Sequence, residues 1–156
     1  MATTTEKLAV GTETVLMTPT NLSALANNAL FLSGAFNNVQ GGGGGDGYML
    51  CRVKAQIEMA VAATANTGVS VWFLKSQDGG TTYESGDTGY TPLRLPDLVI
   101  PAPVDTTPRT VMRDVPMLAG LFKVLLKNDA TGQAFKTDAA STGSSLSITP
   151  MTRQSV

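Results

Sequence analysis

The residues that could do chemistry in this chain are few, and their spacing argues against most familiar sites. The chain has no histidine, which removes the usual general base, the usual zinc ligand and any Ser-His or Cys-His pair. No Gly-x-Ser-x-Gly elbow occurs. The glycines from Gly41 to Gly45 include spacings that a dinucleotide loop uses. No strand leads into them, no helix follows and no Gly-Lys-Ser/Thr is present, so the run reads as a loop and not as a phosphate cradle. Asp78, Glu84 and Asp87 gather three carboxylates in one stretch, where a Ca²⁺ ion would want several converging oxygens. Their spacing is not that of a calcium loop, and Asp78-Gly79 is a common hairpin pair. Twelve acidic residues scattered along the chain do not make the facing pair that a glycosidase needs. The sole cysteine, Cys51, falls on an apolar strand face and reads as a small buried hydrophobe. The expectation is a protein that is not an enzyme, with no catalytic residue, metal or cofactor.

Three aromatic residues remain. Trp72, Tyr83 and Tyr90 lie close in sequence, and exposed rings on a β-sandwich can stack on sugars or anchor a protein interface. Trp72 reads equally well as core filling.

The elements that must position these residues are written in alternation. Between Tyr48 and Ala62, the residues Cys51, Val53, Ala55, Ile57, Met59 and Val61 are apolar, while Arg52, Lys54, Gln56 and Glu58 are polar. That is a strand with one wet face. Val69 to Ser76 is apolar on both sides, with Val69, Val71 and Phe73 pointing one way and Trp72 and Leu74 the other. Such a strand is central in a layered structure or lies at a contact with another chain. Leu121 to Lys127 alternates again, with Phe122, Val124 and Leu126 inward. Leu8 to Met17 reads as a first strand stopped by Pro19, and Ser145 to Thr152 as the last, with Leu146 and Ile148 inward. Asn128 to Gly132 reads as a turn with Ala134 to Thr137 as its return, and Thr81 to Tyr90 as a short strand and loop. Thr20 to Phe36 reads as a short coil or single turn followed by a strand, although Leu22, Leu25, Ala26, Ala29 and Leu30 also recur at helical spacing. Six of the eight prolines fall between Pro92 and Pro116. The segment 91–116 is therefore expected to lie extended over a sheet edge, with Leu98 to Ile100 and Arg109 to Val115 as short edge strands.

At 156 residues the chain suits one domain. The strand spacing implies an all-β, single antiparallel domain of eight or nine strands, a sandwich or barrel. Residues 1–7 form a polar arm, 8–156 the domain and 37–47 a Gly-rich loop. A net charge of -1 gives no attraction to nucleic acid. No window approaches the ~20 apolar residues of a membrane span. No basic stretch precedes an apolar run at the start, so synthesis in the cytoplasm is expected.

The run Gly68 to Gly80, GVSVWFLKSQDGG, followed by Thr82-Tyr83-Glu84, resembles small structural proteins of tailed bacteriophages. Phe122 to Phe135, FKVLLKNDATGQAF, is similar to their penultimate hairpin, and the ending Thr152 to Val156 is similar in character. The likeness spans about half the chain and leaves out the glycine run. It implies a virion component, and within that class it resembles capsid decoration (cement) proteins, which sit on the head surface, often as trimers, and clamp neighbouring capsomers. The resemblance narrows the expected fold to a single antiparallel β-sandwich of jelly-roll or β-tulip type. The partners implied are the major capsid protein and sister copies, with no nucleic acid and no membrane. Candidate contact residues are Leu8 in the N-terminal region, Trp72, Tyr83, Tyr90, Leu95, Leu98 and Ile100. Two alternatives stand beside this: a glycan-binding module of a tail fibre or baseplate using Trp72, Tyr83 and Tyr90, and a tail-tube or head-completion protein that forms rings.

Overall fold

The alternation resolves into two sheets in the computed structural model, which describes residues 6–38, 48, 50–84, 90–117, 120–137 and 143–155. In chain order the elements are β1 (Glu6–Val10), β2 (Thr14–Met17), α1 (Pro19–Leu22), β3 (Leu30–Leu32), β4 (Phe36–Asn38) and β5 (Leu50–Ile57). They continue with β6 (Gly68–Lys75), β7 (Leu98–Pro101), β8 (Arg109–Pro116), β9 (Gly120–Asp129) and β10 (Ser145–Ser155). The first sheet runs β1-β10-β5-β8 with β2 also on β10, and the second runs β3-β9-β6-β7 with β4 also on β9. Every ladder is antiparallel.

Taking β1 with β2 as one interrupted strand, and β3 with β4 as another, leaves eight strands in the orders 1-8-3-6 and 2-7-4-5. This is the order of a jelly roll, two Greek keys folded face to face. The interruption in the first sheet has a local cause. Gly11 donates its N–H to the carbonyl of Pro150 at 2.8 Å. In a sheet a residue's N–H and C=O point to the same side, so the donor that Pro150 lacks also faces the break. A Cβ on Gly11 would meet the Tyr48 hydroxyl at 3.2 Å, so the chain passes closely there because the residue is glycine.

The core lies between the sheets. Cys51, Val53, Ala55 and Ile57 from β5 meet Val69 and Val71 from β6, Phe122, Val124 and Leu126 from β9, and Leu146 and Ile148 from β10, all buried. Phe122 packs against Phe36 and Phe73, with ring centroids 5.2 and 5.9 Å away. Burial pushes the Cys51 thiol pKa up to about 12.

Both proline-bounded strands sit where the sequence puts them: β7 is the edge of the second sheet and β8 the edge of the first. Several boundaries move. The expected first strand, Leu8 to Met17, divides into β1 and β2, and β1 takes in Glu6 and Lys7 from the expected arm; residues 1–5 lie outside the described residues. The 20–36 stretch holds the single turn α1, capped by the Thr18 hydroxyl accepting from the Asn21 N–H, then the short strands β3 and β4. Asn37 and Asn38 belong to β4, not to the Gly-rich loop, whose residues 39–47 lie outside the described residues. The Ala134 to Thr137 return reduces to one bridge between Phe135 and Met59.

Val61 is a correction: it is exposed, not inward. The strand β5 ends at Ile57; Met59 keeps its place on the buried row, but Glu58 between them turns inward as well. Its carboxylate pairs with Lys136, and its N–H donates to the Ser144 hydroxyl at 2.9 Å. That joins β5 to the connection before β10, and neighbouring loops close over the same end. Ala63 donates to Pro103, Thr64 to Thr131 and Phe135 to Leu25 through their backbones.

Candidate interaction surface

Residues beyond β6 do not go straight to β7. Residues 76–84 first turn back as a strap that lays Tyr83 over the outer face of the second sheet, and residues 90–97 lead on to β7. The reversal starts at a Ser76–Tyr83 bridge. Within it the Asp78 carboxylate accepts from the Thr81 N–H at 3.0 Å, the Thr82 N–H at 2.7 Å and the Thr82 hydroxyl at 2.9 Å. The Thr82 N–H, then its hydroxyl, holds the Asp78 carboxyl below the usual carboxylate range. Gly79 and Gly80 take φ values of +75° and +114°, the left-handed backbone that glycine adopts without strain. Asp78 is thus a turn residue, Glu84 an ion-pair partner, and Asp87 lies outside the described residues. Among the described residues no three metal-ligating side chains cluster.

Under this strap a second small core forms on the outer face of the sheet, from Trp72, Leu74 and Leu125, covered by Leu30, Leu32 and Tyr83. The indole N–H of Trp72 donates to the carbonyl of Arg94 at 3.2 Å. The Lys123 ammonium sits 4.5 Å from the centre of the Tyr83 ring, a cation–π contact that occupies one face.

Arg94 locks the strap to the sheet. Its guanidinium takes both Glu84 oxygens, donates to Asp97 Oδ1 at 2.8 Å and to the Phe73 carbonyl at 2.9 Å. Asp97 Oδ2 accepts the Phe73 N–H at 2.7 Å. Phe73 lies on β6 past the residues that β7 pairs. Its exposed edge is therefore satisfied by a charged side-chain pair in place of another strand, which is one way to blunt an open edge. Hydrogen bonding to Glu84 raises the Arg94 pKa still further, so this charge is permanent.

The side chains flanking Arg94 point to solvent. Leu93 is 105% exposed and Leu95 86%. Nine large apolar residues are exposed among the described residues, and five of them, Tyr90, Leu93, Leu95, Val99 and Val104, fall within 90–104. Behind Arg94 lies a pocket of about 370 Å³. Phe73, Phe122, Leu121 and Met117 form its apolar wall, and Lys75 stands at its rim.

The candidate contact residues therefore separate. Leu95 and Tyr90 are open, and Leu98 is half-buried against the core. Ile100 is a correction, buried at 0% exposure because it faces the main core, while Trp72 takes the core-filling one of its two readings, 4% exposed beneath the strap. Tyr83 is half-buried under Lys123. Leu8 stands in β1 opposite Arg153, and its side chain lies outside the described residues. Leu93, Val99 and Val104 were not picked out. The signal that could have found Leu93 is the alternation through Pro92-Leu93-Arg94-Leu95, in which Pro92 is buried, Arg94 turns in and both leucines turn out.

What this arrangement offers is an apolar contact surface on a braced sheet edge. No protein-family model matches the chain, and no curated protein matches its sequence.

Proposed function

We propose that the protein is a structural component of a tailed-phage virion, a decoration protein that docks on the outer head surface and clamps neighbouring capsomers. The observation that carries this reading is the gathering of exposed apolar side chains on 90–104, a segment braced by Arg94. Exposed apolar side chains gathered on one stretch of chain suit a surface that a partner covers. Bracing lowers the ordering cost of association. The jelly roll also supports the reading, since that architecture recurs in viral shells and in lectins. Each copy would bury this segment partly on the major capsid protein and partly on sister copies, and the symmetry of the shell would multiply the effect.

The glycan-binding alternative loses ground in this geometry. It relied on three rings, and Trp72 is covered while Tyr83 is occupied by Lys123, leaving Tyr90 open.

The test is co-sedimentation with purified heads that lack the protein. Wild-type protein should sediment with expanded heads and raise the temperature at which they rupture. Val99→Glu with Val104→Glu should abolish both effects without lowering its own unfolding temperature. Wild-type protein that ignores heads overturns the proposal.

A further inference from the structure

Among the described residues, most of the sheet edges are short or broken. The second sheet ends on one side at β3 and β4, of three residues each. On its other side β7 has four residues and closes on Pro101, and past it the Phe73 N–H and C=O are taken by the side chains of Asp97 and Arg94. The first sheet ends at β1 and β2, parted by the break at Gly11. Each of these is a way to blunt an edge. The opposite edge, β8, is different. Its eight residues pair with β5 in unbroken register, from Arg109 opposite Ile57 to Pro116 opposite Leu50, and its one proline is the last residue. Among the described residues no strand lies on its other side. Every second residue of such a strand turns its N–H and C=O away from its partner, so β8 presents a row of open donors and acceptors.

Charge selects what can use that row. Arg109 and Arg113 share one face of β8, with Val111 between them. Both are exposed, and neither takes an ion pair or hydrogen bond among the described residues. The strand's one acid, Asp114, lies on the other face and is held by Arg52 through bonds of 2.8 and 3.1 Å. The edge therefore carries two unanswered positive charges in a chain of net charge -1. Pairing with the β8 of a second copy would gather four guanidinium groups along one joint, and like charges across a strand pair destabilise it. An extended segment with carboxylates four positions apart gives each guanidinium a partner instead.

We infer that β8 takes up an extended acidic segment of another protein as an added strand, its backbone on the open row and two carboxylates on Arg109 and Arg113. Met112, 59% exposed on the opposite face, packs against an apolar residue of the incoming strand. This site goes beyond the docking proposal and does not depend on it. It stands on the edge of the first sheet, whereas the 90–104 segment contains β7 of the second.

The experiment is fluorescence anisotropy at low salt with a capped, labelled eight-residue peptide of Thr, Ile and Val carrying Glu at its third and seventh positions. The peptide should bind, and amide exchange in β8 should slow while that in β3 stays unchanged. Replacing both Glu by Gln, or Arg109 and Arg113 together by Gln, should weaken binding about tenfold, the protein variant keeping the wild-type unfolding temperature. Of two peptides N-methylated at every second amide, one should lose binding and the other keep it, because only one set of amides faces β8. If the arginines serve only to guard the edge, the Glu peptide will not bind and the inference falls. It falls equally if the Gln peptide binds as well, or if both N-methylated peptides bind like their parent. Exchange in β8 that slows with protein concentration alone assigns the edge to a second copy and overturns it. Single-stranded DNA that displaces the peptide at equal concentration also overturns it.

Discussion

The indole of Trp72 and the backbone carbonyl of Arg94 are joined by a hydrogen bond of 3.2 Å that ties the strap to the sheet beneath it. Trp72→Phe removes the donor and some contact area, and should lower stability by about 1–2 kcal/mol. Arg94→Met leaves two carboxylates and the Phe73 carbonyl without their shared donor, with a cost of about 2 kcal/mol once partial solvent access is allowed for. Limited proteolysis checks the local part: cleavage within 76–97 should rise more than cleavage elsewhere.

Asn128 offers a harsher test. Fully buried, it donates to the carbonyls of Leu25 at 3.0 Å and Gln133 at 2.8 Å, and accepts from the Thr131 hydroxyl at 2.6 Å. Asn128→Leu fills the space but removes three buried hydrogen bonds, leaving the Leu25 carbonyl only the Phe135 N–H and the Gln133 carbonyl only the Thr131 hydroxyl. The expected loss is about 3 kcal/mol, read as a fall in the urea midpoint with an unchanged slope.

Gly68 opens β6 against β7, and a Cβ there would stand 2.9 Å from the Ile100 carbonyl oxygen. That neighbour is backbone and cannot swing away, so Gly68→Ala must push β7 off the sheet. A cost of about 1–3 kcal/mol is expected, with faster amide exchange in β7 than in β9.

Acid should destabilise the fold through four carboxylates. Hydrogen bonds lower the pKa of Glu13 from Ser147, of Asp78 from Thr82, of Asp114 from Arg52 and of Asp129 from Lys127. Each is below its unfolded value, about 3.9 for Asp and 4.3 for Glu. Their contribution is thus present above about pH 4 and lost as pH falls through the lower folded values. With no histidine in the chain, the unfolding temperature should be nearly flat from about pH 6 to 8. Calorimetry across that range and down to about pH 2.5 checks both limbs.

What could be read in the sequence was whatever a period of two encodes. The inward rows of β5 and β9 are there in order, and the prolines around β7 and β8 mark them as edges. Hidden were the features that depend on distant partners. Glu58 breaks the alternation because Lys136 waits for it far along the chain, and nothing near Glu58 announces that. Trp72 looks available until the strap is laid over it. The interleaved strand order is likewise a property of the whole, since neighbours in the sheets are mostly strangers in sequence.

That order also fixes when the molecule can finish folding. Strand β10, last in the chain, lies inside the first sheet between β5 on one side and β1 with β2 on the other. The second sheet has all its strands once Asp129 has been synthesised, so it can close while the chain is still growing. Among the described residues β1 and β2 have no partner until β10 has been made, and their ladders join elements far apart in the sequence, as in Glu6 opposite Ser155 and Thr14 opposite Ile148. Such distant pairings form slowly, and waiting edges invite pairing with the wrong chain. A ribosome stalled short of Ser145 would therefore release a half-built sandwich with an open sheet, prone to aggregate.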